Sequence, residues 1–318
     1  MPPVPAASFV KTTEGLGSLP PFGVGFPYIG ELPPELYRPG LLDFVEVTPE
    51  TLCRTRRDGE RRSLIVVPDR FERARTVVNA LPIVVHGIEL SIGSAIGCNE
   101  HYLDMLDQFQ RVWPFCWHSE HLSYQTMPGD DGAPVDIGIP LPLPGTVEAV
   151  RVVSDRAAAI GRRYRVPFLL ENPAHFLRTL PYDPDISDEI GLMAAITERG
   201  SCRQLLDLHN LYCNAINHRF DPFAAVDRID LDRVGEIHVA GGCWQSGYWN
   251  DTHDGRVPSA VWELLDYTLP RCTHIGGVVF ELLNYYASKM TPEEIVEELA
   301  KARRIWDCSH VPTREAGT

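Results

Sequence analysis

The 318-residue chain carries 43 acidic against 29 basic residues, a formal net charge of −14, with 44% hydrophobic and 23% charged residues. This composition is that of a soluble globular protein long enough for a full-sized core, in one large α/β domain or two smaller ones, and it argues against a nucleic-acid partner, whose phosphates are neutralised by Lys and Arg. No apolar run approaches the roughly 20 residues of a membrane span, which argues against a membrane partner too.

Residues 1–20 are rich in Pro, Ser, Thr and Gly and read as a flexible N-terminal arm. They lack the basic segment and apolar stretch of a secretory signal, so the cytoplasm is the expected compartment. The eight cysteines are scattered with no CxxC pair, as expected of reduced thiols. Eight strands are then predicted in order: 22–26 (FGVGF), 43–47 (DFVEV), 82–87 (PIVVHG), 115–121 (FCWHSEH), 167–172 (PFLLEN), 203–210 (RQLLDLHN), 236–241 (EIHVAG) and 276–283 (GGVVFELL). Most gaps have helical spacing, clearest in 145–164, in 257–272 with its closing proline, and in 292–307 with its acidic start and basic end. This alternation predicts one (β/α)8 TIM barrel over 21–308, followed by a tail over 309–318. A doubly wound open sheet shares the alternation, but no GxGxxG or GxxxxGK[ST] phosphate loop is present.

Metal-ligand residue types fall where these apolar runs end: His86, His121, Glu171, Asp207, Asn210, His238, Asp251, His253 and Glu281. Each costs desolvation unless paired or metal-bound, and barrel strands converge at their C-terminal ends, so the pattern predicts a multinuclear metal centre. Asp251 and His253 stand two apart and would share a face of extended chain. Carboxylates mixed with imidazoles suit iron, manganese or zinc, and the set contains no thiolate.

The segments VVHGIELSIG, HSEHLSY, LLENPAHF, LLDLHNLYCNAINH, EIHVAGG and DTHDGRVP, in this order, resemble the multinuclear non-haem iron-dependent oxidative enzymes, long known only as an uncharacterised barrel family. The resemblance spans roughly residues 22–285 and implies a xylose isomerase-like barrel holding two to three irons as a mixed Fe(II)/Fe(III) centre. It also implies dioxygen as co-substrate and modification of a side chain, often cysteine, in a ribosomally synthesised precursor peptide, commonly with a separate leader-binding partner protein. The nine residues above become the ligand candidates. The same set also resembles the trinuclear zinc site of endonuclease IV-type phosphodiester hydrolases, with Asn210 where those enzymes place a histidine. That is the rival reading, disfavoured by the acidic charge and the lack of a basic stripe. A scaffold retaining an idle metal site is a third reading, weakened by the number of costly ligand types.

Two departures from the family pattern concern the substrate end: His209 stands where asparagine is usual, and the eighth strand ends FELLNYY rather than in an acidic residue followed by Arg-Asp. His209 is expected to act catalytically, as a ligand or proton shuttle, and Glu120 to act with it or to orient an imidazole, as His118 could. Trp244, Tyr248 and Trp249, in a glycine-flanked loop, are expected to bind substrate as a wall or lid of the site, the alternative being that they simply anchor the loop. Glu46 and Glu50 either line the site floor or form barrel ion pairs. The basic run RTRRDGERR (54–62) is either a solvated face or a dock for an acidic peptide segment.

Overall fold

The computed structural model describes residues 19–58, 61–130, 132, 134–177 and 180–310. The expected arm up to residue 18 and the tail from 311 lie outside them. Eight parallel strands close into a barrel: β1 Gly23–Pro27, β2 Phe44–Val47, β3 Ile83–Gly87, β4 His118–His121, β5 Phe168–Glu171, β6 Arg203–Asp207, β7 Val234–Ala240 and β8 Gly277–Glu281. Each pairs with its chain neighbours, and β8 pairs back to β1 through Gly23↔Gly277. All eight overlap the predicted runs, because a parallel strand covered on both faces must be almost wholly apolar; the run expected over 203–210 stops at Asp207, where a helix begins, and that over 115–121 starts at His118.

Helices cover the outside: α1 Pro68–Val78, α2 Glu100–Val112, α3 Val147–Tyr164, α4 Glu189–Gly200, α5 Leu208–His218, α6 Pro222–Val226, α7 Ser259–Thr268 and α8 Pro292–Ser309. The connection from β1 to β2 differs, containing only the 3-10 turn Pro34–Leu36. Helix α8 starts on a capping box, in which the Thr291 side chain accepts from the Glu294 amide and Glu294 reaches back to the Thr291 amide. One turn matters for function. Asp207 ends β6 and at once caps α5, its Oδ1 accepting the Asn210 amide at 2.6 Å. With no intervening loop, the first turn of α5 sits over the barrel mouth.

Three antiparallel hairpins follow β2, β4 and β7, all at the C-terminal rim: Cys53–Asp58 with Arg61–Val66, Ser123–Pro128 with Pro134–Pro142, and Cys243–Gln245 with Tyr248–Asn250. None was expected from the sequence. The second hairpin is proline-rich and largely exposed, so it lacks the apolar alternation that marks a half-buried strand.

Candidate metal centre

Strand alternation builds the barrel interior in two layers. Residues pointing inward at the lower level, Phe44, Val84, Trp117, Leu169, Leu205 and Val279, form a separate apolar cluster. Two residues further along the same strands come Glu46, His86, Ser119, Glu171, Asp207 and Glu281, which therefore also point inward but at the open end. The lower layer is a plug and the upper layer a bowl of ionisable groups, which the TIM-barrel rule places at the functional end.

In the bowl, Glu171 Oε2 lies 3.4 Å from His86 Nε2 and 3.3 Å from His121 Nε2. His238 reaches Glu46 Oε2 and Glu281 Oε2 at 3.0 Å each through its two nitrogens. His253 contacts Asp251 Oδ1 at 2.6 Å and Glu281 Oε1 at 3.3 Å. Asn210 Nδ2 donates to Glu171 Oε1 at 3.1 Å. Two donor sets each gather within 4.8 Å, His86/His121/Glu171 and Glu171/Asp207/His238/Glu281, and they share Glu171. A third such set joins Glu46, Glu236 and His238 below them, and a fourth joins His209, Cys213 and Asp251.

The protonation pattern fits cations. Ser119 Oγ donates to the Val85 carbonyl at 3.3 Å, so it accepts from His86 Nδ1 at 3.0 Å and leaves the Nε2 lone pair facing Glu171. His86 Nε2, Glu171 Oε2, Asp207 Oδ2 and Asn210 Oδ1 are buried without a hydrogen-bond partner. Six buried or half-buried carboxylates crowd the bowl: Glu46, Glu171, Asp207, Glu236, Asp251 and Glu281. Among the described residues no Lys or Arg pairs with any of them. Uncompensated buried charge on this scale calls for bound cations. Without them most of these groups hold protons instead, whereas at Asp251 and Glu281 burial is outweighed by His253, and at Glu281 also by His238, so both stay ionised. Burial, reinforced by Asp207, raises Glu171 well above the carboxylate range. Burial and Asp251 push Asp207 up to about 6. Burial opposes charge on His238 and His253, yet Glu46 with Glu281, and Asp251 with Glu281, outweigh it and raise both. Burial and His121 keep His86 well below its ordinary value, so it stands neutral. His253 also adopts φ 47°, a left-handed conformation unusual for a side chain this size and of the strained kind found at functional sites.

The nine ligand candidates therefore meet in one bowl, with Glu171, Asp207, His121 and Glu281 as the last residues of their strands. Glu120 does not join them. It lies with His118 on the outer face of β4, where His118 Nε2 is 3.1 Å from Tyr102 Oη and 3.4 Å from Glu120 Oε1. Burial raises the Glu120 carboxyl to about 8. Glu46 lines the floor of the bowl, whereas Glu50 Oε1 accepts the Ile88 and Glu89 amides at 2.8 and 3.0 Å. Glu236, which accepts Trp117 Nε1 at 2.9 Å, was missed; its position two before His238 in GEIHV was the available signal. His209 lies over Asp251, its Nδ1 2.8 Å from Oδ1, with Cys213 Sγ 3.7 Å from Nε2. Of the three aromatic candidates, Trp244 is 62% exposed, whereas Tyr248 and Trp249 are half-buried. The basic run forms the hairpin after β2, where Arg54 and Arg56 are exposed.

The family model for the RiPP precursor modification enzyme MbnB/TglH/ChrH matches residues 23–307. The chain belongs to this family. A UPF0276 protein of Caulobacter vibrioides (strain NA1000 / CB15N) is 33% identical over 267 residues, 84% of this chain and 87% of that protein. Another, from Anaeromyxobacter sp. (strain Fw109-5), is 36% identical over 200 residues, 63% of this chain and 68% of its own. Among solved structures, a D-psicose 3-epimerase determined in the presence of D-fructose superposes with a TM-score of 0.54 at 11% identity, covering 90% of this chain and 99% of that one. At that identity the likeness speaks for the (β/α)8 fold the family shares and for nothing finer. No helix among the described residues is long and apolar enough to cross a membrane.

Proposed function

We propose that the chain is a multinuclear non-haem iron-dependent oxidase that uses dioxygen to modify a side chain, often cysteine, of a ribosomally synthesised precursor peptide in the cytoplasm. The observation that carries this reading is the pair of donor sets sharing Glu171, with lone pairs already aimed inward and, among the described residues, no Lys or Arg paired with them. One ion would be held by His86, His121 and Glu171, and a second by Glu171, Asp207, His238 and Glu281. Asn210, Asp251 and His253 would serve a third. The mixed oxygen and nitrogen donors suit iron, and bound iron would supply dioxygen activation by one-electron chemistry.

The chain's own residues supply the setting. Ser119 fixes the His86 tautomer, and Asn210 Nδ2 holds Glu171 Oε1 so that Oε2 stays free. Trp244, Tyr248 and Trp249 form a wall that binds the peptide and restricts water. His209 acts through Asp251, whereas Glu120, paired with His118 on the outer face of β4, supports the strand from outside the bowl. Recognition of the precursor's leader by a separate partner protein belongs to the same reading.

The test is incubation of anaerobically iron-reconstituted protein with the cognate precursor and partner, followed by peptide mass spectrometry. A mass change that requires oxygen and iron is expected. Full turnover under anoxia, or with zinc alone, would favour the hydrolase reading instead.

A further inference from the structure

His209 is held at both ring nitrogens. The Trp249 indole N–H donates to His209 Nε2 at 3.1 Å, and His209 Nδ1 lies 2.8 Å from Asp251 Oδ1. An indole nitrogen can only donate, so Nε2 must accept, and the ring proton is on Nδ1, directed at the carboxylate. No lone pair remains for a metal ion. Trp249 is fixed in turn: its backbone N–H donates to Asn217 Oδ1 at 2.9 Å and its carbonyl accepts from Asn217 Nδ2 at 2.8 Å. A Cβ at Gly242 would fall 2.7 Å from His209 Nε2 and 2.4 Å from the Asn250 carbonyl, so only glycine lets the hairpin settle this closely on the imidazole. Across the ladder from Trp249 stands Trp244, exposed and packed edge-on against it at 5.9 Å, while Tyr248 packs against Phe176 at 5.6 Å.

We propose that His209 is a positioning residue, not a ligand: a strut that ties the aromatic hairpin Cys243–Asn250 to Asp251, so that peptide bound on the hairpin steadies one arm of the metal centre. This rests on the reading of Asp251 as a metal ligand. With Oδ1 shared between His209 and His253, Oδ2 is the Asp251 oxygen that would hold the ion. Asparagine at 209 places its amide nitrogen where Nδ1 stands but is too short to reach Trp249. It keeps the contact to Asp251 and cuts the link to the hairpin.

The experiment measures Fe(II) affinity anaerobically, by competition with a chelator, for the full-length wild type and the variants His209→Asn, His209→Ala, Trp249→Phe and Asp251→Ala. In parallel, 15N-resolved NMR of the metal-free protein reads the His209 tautomer and the exchange rate of the Trp249 indole proton. His209→Ala should weaken the affected site about 10- to 100-fold, the usual cost of losing a group that orients a ligand. His209→Asn and Trp249→Phe should stay within about threefold of wild type, while His209→Asn speeds indole exchange and Trp249→Phe loosens the tautomer preference. Iron loss in His209→Asn equal to that in His209→Ala would make His209 a ligand and overturn the proposal. So would a proton found on Nε2, a readout that holds even if His209→Ala does not fold. If Asp251→Ala weakens iron binding and His209→Ala does not, the strut alone fails. If Asp251→Ala leaves iron binding intact, the third site in the proposed function fails and the strut's coupling with it.

Discussion

Replacing Glu171 with glutamine separates metal binding from folding more sharply than any other single change. Glu171 Oε1 already accepts Asn210 Nδ2 at 3.1 Å, and a glutamine oxygen preserves that bond. Oε2 is buried without a donor, beside His86 Nε2 at 3.4 Å and His121 Nε2 at 3.3 Å. The new amide NH2 would donate there at any pH, whereas Glu171 can donate only while burial keeps it protonated. Metal-free Glu171→Gln should therefore match metal-free wild type at low pH; where wild type has to ionise the group, relieving one unsatisfied buried acceptor is worth about 1–3 kcal/mol. At roughly 2–4 °C per kcal/mol, the metal-free variant should melt about 2–12 °C above metal-free wild type at alkaline pH. The order should reverse with iron present, because a metal at 100 times its Kd adds about 2.7 kcal/mol to wild type and the variant has lost the oxygen common to both donor sets. Differential scanning calorimetry of chelated and anaerobically loaded protein, with iron analysis on the same samples, reads both effects. A metal-free variant less stable than wild type that still carries a full iron complement would refute the reasoning and make Glu171 a structural residue.

Three further outcomes are expected. Metal-free Glu171, Asp207, His238 and His253 all hold protons above their ordinary ranges, so binding must expel them; iron affinity should rise from pH 5.5 to 7.5, with proton release visible by calorimetry in buffers of different ionisation enthalpy. Constant affinity with no proton release would contradict the assignment. Burial raises both Glu50 and Glu120 to about 8, so between the unfolded carboxylate value and pH 8 the native state binds the more protons. Their contribution is full at low pH and lost as pH rises through 8, and Glu120→Gln should flatten the decline of metal-free stability measured by urea unfolding from pH 5 to 8.5. An unchanged slope would place the titration elsewhere. Trp244→Ala, on the exposed first strand of the hairpin, should raise the peptide KM several-fold and leave iron content unchanged; lost iron would show that the aromatic wall is part of the centre itself.

The barrel was legible because its strands are buried on both faces and so appear as bare apolar runs, such as IVVHG and FLLE. The ligand types were legible for a related reason: a carboxylate closing such a run, as Glu171 and Asp207 do, has no cheap structural explanation. What the sequence hid was direction across a strand. Glu120 sits one residue from the inward His121, so alternation turns it outward to His118, while Glu236, two residues from His238, turns in. The rim hairpins were hidden because exposed strands need no apolar alternation; the third turns on Ser246 and Gly247, both at positive φ, a signal too short to stand out within a loop. His209 was readable as a departure from a motif, but its contact with Trp249 depends on a hairpin folding back across 40 residues.

The most direct test of the central claim is iron stoichiometry with Mössbauer spectroscopy on protein reconstituted anaerobically with 57Fe. The account predicts two to three irons per chain, with spectra showing at least two inequivalent sites and magnetic coupling between irons that share Glu171. One iron or fewer per folded chain, or irons with no sign of coupling, would contradict it.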